Sequence, residues 1–359
     1  MSIDTGTLDE AYERFHTTGP EFDGGLSNHG PMAVEAMVRR GEGGAVHAWV
    51  DWYSRRLDEL PRGINPVTRE NWREALGGRD RVGDWTSFLL RESEQQSWRE
   101  LLVEWWPRLL PGILSSATHG VIRVGHAVHA LLEEEKAAGG VELAEGPRVA
   151  ELAHALASWA VRRPALPSDG AGRRGLTGPS AALAGVPSVA DQTVSVSYRV
   201  GQLPGTPGWS DALGALRSPA TPAEAAELLG AVADAAVLDY LRHAQANPIM
   251  LVHASTAPTA VLRVLPALPQ SLWIPSLDAA WFASAAVTAA YRNSVAPAED
   301  IAAARTEAAD PAESFERAVK HRDEHVVKFA DSALAAFERT GARDALAAAA
   351  RATKLIPQG

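Results

Sequence analysis

The spacing of the apolar residues is the feature that most restricts how this chain of 359 residues can fold. Alanine and leucine are abundant, and apolar side chains recur at every third and fourth position, which is the spacing of an amphipathic helix. Runs that alternate apolar and polar residues, as half-buried strands do, are almost missing. The pattern predicts an all-α protein, with residues 1–359 forming a single large multi-helix domain that encloses a central pocket.

Helix start and stop signals divide this pattern into separate elements. Pro111 and Gly112 end one helix, whereas Thr221 and Asp310, each followed by a proline, open two others. The predicted helices cover residues 7–16, 30–40, 43–59, 84–93, 97–110, 118–135, 147–161, 222–246, 256–265, 274–294, 312–339 and 341–354.

The segment from residue 163 to 208 is the one long stretch without a helical pattern. It is rich in proline, glycine and serine, and a structureless connection of that length is uncommon inside a compact domain. We interpret it as a loop insertion, either a lid over an active site or a mobile surface loop. Within it, Thr193–Val200 alternates like a strand, but a single strand has no sheet to join, so we expect an extended loop.

The charge of the chain argues against two classes of partner. With 34 Lys and Arg against 44 Asp and Glu, the formal charge is −10, which repels phosphate backbones and anionic lipid headgroups. The N-terminus, MSIDTGTLDEAYERF, lacks the apolar core of a signal peptide. The longest weakly polar run, Ala279–Tyr291, is shorter than the ~20 residues that cross a bilayer. We expect a cytoplasmic protein with no nucleic-acid and no membrane partner, and a homodimer stays open.

Cysteine is absent, which excludes disulfides, thiolate nucleophiles and iron–sulfur clusters together. A metal would have to be bound by histidine, carboxylate or modified side chains. The chain also lacks a G-x-G-x-x-G after a predicted strand, a phosphate-binding G-x-x-x-x-G-K-[ST], a G-x-S-x-G and an H-E-x-x-H. The usual flavin, nicotinamide and nucleotide sites, and the commonest hydrolases, are therefore not indicated.

Two predicted helices carry polar stripes that contain histidine. In residues 118–135, His119, Arg123 and His126 fall within about 60° of one another around the helix axis. Small residues flank this stripe and would let another helix approach it. A polar stripe inside a helical core needs polar partners, so these side chains are candidates for a site.

The second stripe lies in residues 312–339, where His321, His325 and Lys328 share a face. His325 and Lys328 could reach one metal ion. His321 and Lys328 lie about 10 Å apart along the axis and could not easily do so together. We therefore expect one of the two histidines to lie outside the set of direct ligands.

Two more histidines lie at helix ends. His29 comes just before a helix that Pro31 can open, and His253 comes just before another helix. Each histidine alone is more often a cap or a satisfied core residue than a ligand, but four such settings together favour a metal site. Imidazoles suit iron, zinc, copper or nickel, and redox iron usually takes a carboxylate beside them.

Lys328 stands where a carboxylate would be expected. A neutral, desolvated lysine can add carbon dioxide to form a carbamate, which is an anionic oxygen ligand, provided that burial depresses its pKa. The alternative is an ammonium group that reaches solvent or pairs with Asp331 or Glu324, both of which the helical pattern places on the solvated face.

Four blocks in order carry a family resemblance: GPEFDGGLSNHGPMAVEAM, THGVIRVGHAVHAL, MLVHASTAPTAVLRVLP and HRDEHVVKFADSAL. In these blocks, from Tyr12 to about Leu334, the chain resembles the questin oxidase family. That family includes enzymes of aromatic polyketide pathways that oxidatively open an anthraquinone ring. The resemblance implies a non-haem iron held by histidines and a carboxylated lysine.

Carried onto this sequence, the resemblance implies five metal ligands: His29, His119, His253, His325 and the carbamate of Lys328. Arg123, His126 and His321 are then the expected catalytic residues around the metal, with Arg123 holding a phenolate or orienting the carbamate. The choice between His119 and His126, and between His325 and His321, stays open.

Four imidazoles and one anionic oxygen leave one octahedral position for dioxygen or substrate. We therefore expect Fe²⁺ as cofactor, dioxygen as co-substrate and a small anthraquinone-like substrate whose ring is cleaved; the need for NADPH stays open. The alternatives are a flavin- or NADPH-dependent Baeyer–Villiger oxygenase, a non-catalytic polyketide-binding protein and a zinc hydrolase. Tryptophans are more often core residues, but six of them could wall a pocket for an aromatic substrate. They are Trp85, Trp98, Trp105, Trp106, Trp273 and Trp281.

Overall fold

Helices make up nearly all of the regular structure in the computed structural model, which describes residues 5–142, 145–162 and 175–359. In those ranges the strands are a short antiparallel pair, β1 (Glu21–Phe22) and β2 (Leu26–Ser27). The prediction of an all-α fold is confirmed. Contacts group the chain into two compact units: unit 1 is Met1–Ala165 with Arg263–Pro269, and unit 2 is Leu166–Leu262 with Gln270–Gly359.

Unit 1 is built around one long helix, α7. Its helices are α1 (Thr5–His16), α2 (Gly30–Arg39), α3 (Val46–Tyr53), α4 (Trp72–Ala75), α5 (Val82–Ser93), α6 (Trp98–Leu109), α7 (His119–Ala137) and α8 (Pro147–Ala160). α7 packs against both α2 and α8, and most of its side chains are buried. The small residues of its sequence permit this, since a side chain at Gly120 would lie 2.5 Å from the ring of Trp159.

Tryptophans pack on one another in the core of unit 1. The rings of Trp85 and Trp105 meet edge-on at 5.4 Å, and those of Trp106 and Trp159 at 5.6 Å. Edge-to-face contacts of this kind stabilise a core beyond the area that they bury. In unit 1 the candidate tryptophans are buried core side chains, which is the more common alternative for such residues, and they are Trp85, Trp98, Trp105 and Trp106.

Unit 2 is built around α12, which packs against α15, α18 and α19. Its helices are α9 (Pro179–Ala184), α10 (Val196–Gly201), α11 (Trp209–Ala215), α12 (Pro222–His243), α13 (Pro248–Leu251), α14 (His253–Val264), α15 (Trp273–Tyr291), α16 (Ala298–Glu307), α17 (Pro311–His321), α18 (Glu324–Thr340) and α19 (Arg343–Leu355). Of its two candidate pocket tryptophans, Trp281 is buried and donates to the carbonyl of Leu213, and Trp273 is half-buried.

Short 3-10 turns connect several of these helices. They lie at Gly43–Ala45, Ser54–Arg56, Arg79–Arg81, Leu110–Gly112, Ser115–Thr118, Leu203–Gly205, Leu265–Ala267 and Gln270–Leu272. The helix predicted over residues 43–59 is one such case, because its regular part is α3 with a 3-10 turn at each end.

Two helices of unit 2 begin where the sequence predicts. The side chain of Thr221 accepts a hydrogen bond from the backbone N–H of Glu224, and that of Asp310 accepts one from Glu313. A cap of this kind contributes about 1 kcal/mol to helix stability.

The long helix predicted over residues 312–339 is in fact two helices. α17 ends at His321 because Arg322 adopts a left-handed conformation with φ 71°, and Asp323 then caps α18. His321 therefore does not share a helical face with His325 and Lys328, and the predicted stripe of three is wrong in that residue. The spacing of apolar residues continues across the break, so periodicity alone did not reveal it.

The segment from residue 163 to 208 contains more helix than its composition predicts. Residues 163–174 lie outside the described part of the chain. Beyond them, α9 and α10 are helical, and α10 overlaps the stretch expected to be extended loop. In α10 the side chain of Arg199 donates to the carbonyl of Val194, a local contact that the alternating pattern did not suggest. The lid role stays a prediction.

One stretch, Pro248–Ala267, is long and apolar enough to cross a membrane by length and composition. It exceeds the run Ala279–Tyr291 that the pattern singles out as the longest. Of the residues in its most apolar 18-residue window, 72% are buried inside the fold. A buried core helix passes the same test, so this is weak evidence for a membrane span.

Candidate metal centre

Two histidines of unit 1 meet where their helices begin. His29 is the N-cap of α2, and His119 is the first residue of α7. Their ring centroids lie 4.5 Å apart at an interplanar angle of 60°, and a nitrogen of one ring lies within 4.8 Å of a nitrogen of the other. Two nitrogen–metal bonds of about 2.1 Å each, made to one metal ion, would together span nearly that distance. The pair could therefore hold a metal ion.

The packing around the start of α2 fixes the position of His29. Its backbone N–H donates to the hydroxyl of Tyr53 at 2.8 Å, and the next N–H, of Gly30, donates to the side-chain oxygen of Asn28 at 2.9 Å. A side chain at Gly30 would lie 2.5 Å from the ring of Phe15. Glycine therefore lets an aromatic ring close over the histidine-bearing helix end.

A backbone carbonyl selects the tautomer of His119. Nδ1 of the ring is in short hydrogen-bond contact with the carbonyl oxygen of Ser116. Because a carbonyl only accepts, Nδ1 carries the proton and Nε2 is the basic nitrogen. Histidines that bind metals are commonly held in this way, with one ring nitrogen donating to a backbone carbonyl.

The backbone before His119 is strained. Ser116, Ala117 and Thr118 have φ values of 49°, 50° and 69°, all in the left-handed region that residues other than glycine rarely adopt. Such conformations cost of order 1–3 kcal/mol each and tend to persist at functional sites. Here the strained turn holds the Ser116 carbonyl against the ring of His119.

Unit 2 has a second pair of histidines at helix starts. His253 is the first residue of α14, and His325 is the second residue of α18. Their ring centroids lie 5.7 Å apart, and their nearest ring nitrogens lie within 4.8 Å. Nδ1 of His253 donates to the carbonyl of Met250 at 3.1 Å, so Nε2 is again the basic nitrogen. This pair could hold a metal ion as well.

The four helix starts share an electrostatic property. The N-terminus of a helix carries partial positive charge and unpaired N–H groups, and it therefore favours an anion nearby. A metal bound beside such ends would need an anionic ligand to balance them. Two side chains of α18, Lys328 and Glu324, are the candidates for supplying this anionic ligand.

Lys328 is a buried lysine whose Nζ has no hydrogen-bond partner among the described residues. Burial lowers the pKa of its ammonium to about 7, although the carboxylates of Glu324 and Asp323 act in the opposite direction. Near neutral pH a large share of this lysine is therefore the free amine, which is the form that adds carbon dioxide. The alternative of an ammonium that reaches solvent is wrong, since the side chain is 1% exposed.

A carboxylate also lies beside His325, contrary to the expectation from the sequence. Oxygens of Asp323 and Glu324 and a nitrogen of His325 lie within 4.8 Å of one another. The carboxylate of Asp323 already accepts from the backbone N–H groups of His325 and Val326, which leaves Glu324 as the second candidate for an anionic ligand. The solvated face predicted for Glu324 and Asp331 is wrong, because both are buried.

Two candidate catalytic residues of α7 are engaged with carboxylates. The guanidinium of Arg123 donates to both oxygens of Glu151, at 2.6 and 2.9 Å. Although burial raises the pKa of Glu151, Arg123 and His16 lower it to about 2. Nδ1 of His126 contacts a carboxylate oxygen of Glu35 at 2.5 Å.

The third candidate, His321, lies at the end of α17. Its Nε2 contacts the carbonyl of Ile356 at 3.1 Å, so Nε2 carries the proton in that contact. This places the ring against the C-terminal segment of unit 2. Catalytic roles for Arg123, His126 and His321 stay predictions.

A small pocket in unit 1 opens beside His119. Its wall includes Ser27, Asn28, Ser116 and Arg123, and its volume of about 20 Å³ has room for about one water molecule. A molecule the size of water or dioxygen fits there, whereas a three-ring aromatic compound does not. The pocket is therefore suited to the entry of a small molecule at His119.

Comparison of the chain with known protein families, with curated proteins and with solved structures finds no match. The arrangement itself indicates what chemistry is available. Each unit provides two imidazoles at helix starts, and α18 adds an amine and a carboxylate next to one of them. These groups suit a transition metal with nitrogen ligands and one anionic oxygen.

Proposed function

We propose that this protein is a non-haem iron-dependent oxygenase that oxidatively cleaves a ring of an anthraquinone-type aromatic polyketide. The observation that carries the proposal is the two pairs of histidines at helix starts, each with ring nitrogens within 4.8 Å. As the resemblance to the questin oxidase family implies, we propose that both pairs bind the same ion. Four nitrogen donors suit iron, zinc, copper or nickel and do not suit magnesium or calcium. The resemblance to the questin oxidase family favours iron and dioxygen among these.

The fifth ligand is proposed to be the carbamate of Lys328. Its amine is buried, and its lowered pKa provides the neutral form near pH 7. The carbamate would supply the anionic oxygen that the helix starts favour. Glu324 is the other anionic group beside His325, and it would take this role if Lys328 stayed unmodified.

Bound Fe²⁺ would activate dioxygen by sharing electrons with it, and the electron-rich aromatic ring would supply the electrons of the net oxidation. The residues of the chain then have separate tasks. The carbonyls of Ser116 and Met250 hold His119 and His253 in the tautomer that offers Nε2. The substrate is proposed to be a hydroxylated, flat aromatic compound, with dioxygen as co-substrate.

Metal content after expression tests this function directly. We expect about one iron per chain, and uptake of dioxygen when a hydroxyanthraquinone is added. Removal of any one direct ligand should lower iron affinity by more than ~10–100-fold, which is the loss typical of residues that only hydrogen-bond to a ligand. The variants are His29→Ala, His119→Ala, His253→Ala and His325→Ala. His47→Ala is the matched control, because that side chain is 51% exposed and pairs with the surface residue Glu10.

Two outcomes would contradict the proposal in different ways. Zinc retained without any uptake of dioxygen would favour a hydrolase. Active or ligand-binding protein without a transition metal would favour a non-catalytic binding protein.

A further inference from the structure

The carboxylate of Glu35 lies buried where α2 meets α7. Nδ1 of His126 donates to one of its oxygens at 2.5 Å, and Nδ1 of His129 donates to the other at 3.0 Å. On its own helix, Arg39 donates to it at 3.0 Å. Burial alone would raise the pKa of Glu35, but Arg39 and the two histidines bring it well below its usual value. Glu35 is therefore an ionised link between the two helices.

The same two helices carry the histidine pair of unit 1. Glu35 follows His29 by six residues, and His126 follows His119 by seven. At 1.5 Å per residue these steps are about 9 and 10 Å along the helix axes. α2 and α7 thus run side by side in the same direction, and they touch at two levels. Contacts at two levels fix both the sliding and the rotation of α7 against α2.

His126 is too far along α7 to bind one ion together with His119. The two residues are about two helical turns apart, and Nδ1 of His126 already faces Glu35. A direct ligand role for His126 is therefore not what the geometry indicates. The ring instead supplies a hydrogen-bond donor at the second level of contact.

We propose that Glu35 is a positioning residue for the metal centre and that His126 and His129 act through it. Their hydrogen bonds hold α7 in register with α2, so that the rings of His29 and His119 meet. The inference rests on the proposed metal site. It separates the roles of His119 and His126, which the sequence alone leaves interchangeable.

Titration of the full chain with Co²⁺ tests the inference, with affinity and the Co²⁺ absorption spectrum as readouts. Glu35→Gln should lower the affinity about 10-fold and alter the spectrum. His126→Leu should do the same, since it removes the donor. His126→Asn should bind within about 2-fold of the parent protein, because the amide N–H of asparagine takes the place of Nδ1–H.

Glu135→Gln is the matched control. Glu135 is also a buried carboxylate of α7, but it accepts from Trp98 and Arg99 and thus links α7 to α6. Its replacement should leave Co²⁺ affinity and the spectrum unchanged. An equal loss in Glu135→Gln would show general destabilisation and overturn the inference, and so would an equal loss in His126→Asn and His126→Leu. A parent protein that binds no Co²⁺ at all would instead overturn the proposed metal site itself.

Discussion

Replacing Lys328 by methionine is expected to stabilise the metal-free protein by about 4 kcal/mol at pH 7 in buffer without carbon dioxide. Burial lowers the pKa of this lysine from 10.5 to about 7. At pH values between these two pKa values, the lysine of the unfolded chain is protonated, whereas that of the folded chain is not. The stability of the parent protein therefore rises with pH across that window, and the penalty for burying the amine is largest below pH 7.

Urea unfolding of chelator-treated protein from pH 6 to pH 10 measures this effect. The difference between Lys328→Met and the parent protein should shrink as the pH rises. Lys354→Met, at a side chain that is 60% exposed, should change stability by less than about 0.5 kcal/mol. A difference that stays constant with pH would show that Lys328 does not titrate in this window. The same variant should bind iron poorly, because methionine cannot form a carbamate.

Replacing Arg123 by methionine is expected to destabilise the protein by about 3–5 kcal/mol at pH 7, because it leaves the carboxylate of Glu151 buried without its main partner. In the parent protein the pKa of Glu151 is about 2, below its ordinary value of 4.5. The pair therefore contributes stability above pH 4.5 that is lost as the pH falls toward 2. The difference in the free energy of unfolding between the variant and the parent protein should become smaller over the same pH range.

A double-mutant cycle isolates this interaction. Adding Glu151→Gln to Arg123→Met should recover part of the lost stability, since it removes the unpaired charge. The matched control is Arg305→Met, whose partner Asp344 forms an exposed pair with it and which should cost at most about 1 kcal/mol. A loss for Arg123→Met as small as that of the control would contradict the account of a buried pair.

Helical periodicity predicted most of the fold because amphipathic helices leave a strong repeating signal. The two helix caps at Thr221 and Asp310 could also be predicted from the sequence, since a cap residue and a following proline form a local pattern. The break at Arg322 was not, because a left-handed non-glycine residue has no local sequence signature. α10 was missed for a related reason, since it is short and its sequence alternates.

The histidines of the site could be selected from the sequence because each lies at a predicted helix end or on a polar stripe. The buried carboxylates that pair with His126 and Arg123 were missed, although a signal existed. Glu35 lies within MAVEAMV and Glu151 within VAELAHAL, each a lone acid among apolar residues. Such an acid is buried only if basic groups come to it from another element. Which basic groups come to the acid depends on how the helices pack against one another. The spacing of residues within one helix does not predict that packing.

Anomalous scattering at the iron absorption edge, from crystals of iron-loaded protein, tests the central claim most directly. We expect a single iron peak within bonding distance of His29, His119, His253 and His325, with added density at Nζ of Lys328 that reaches the metal. Separate ions on the two histidine pairs, or an iron bound away from these histidines, would contradict it.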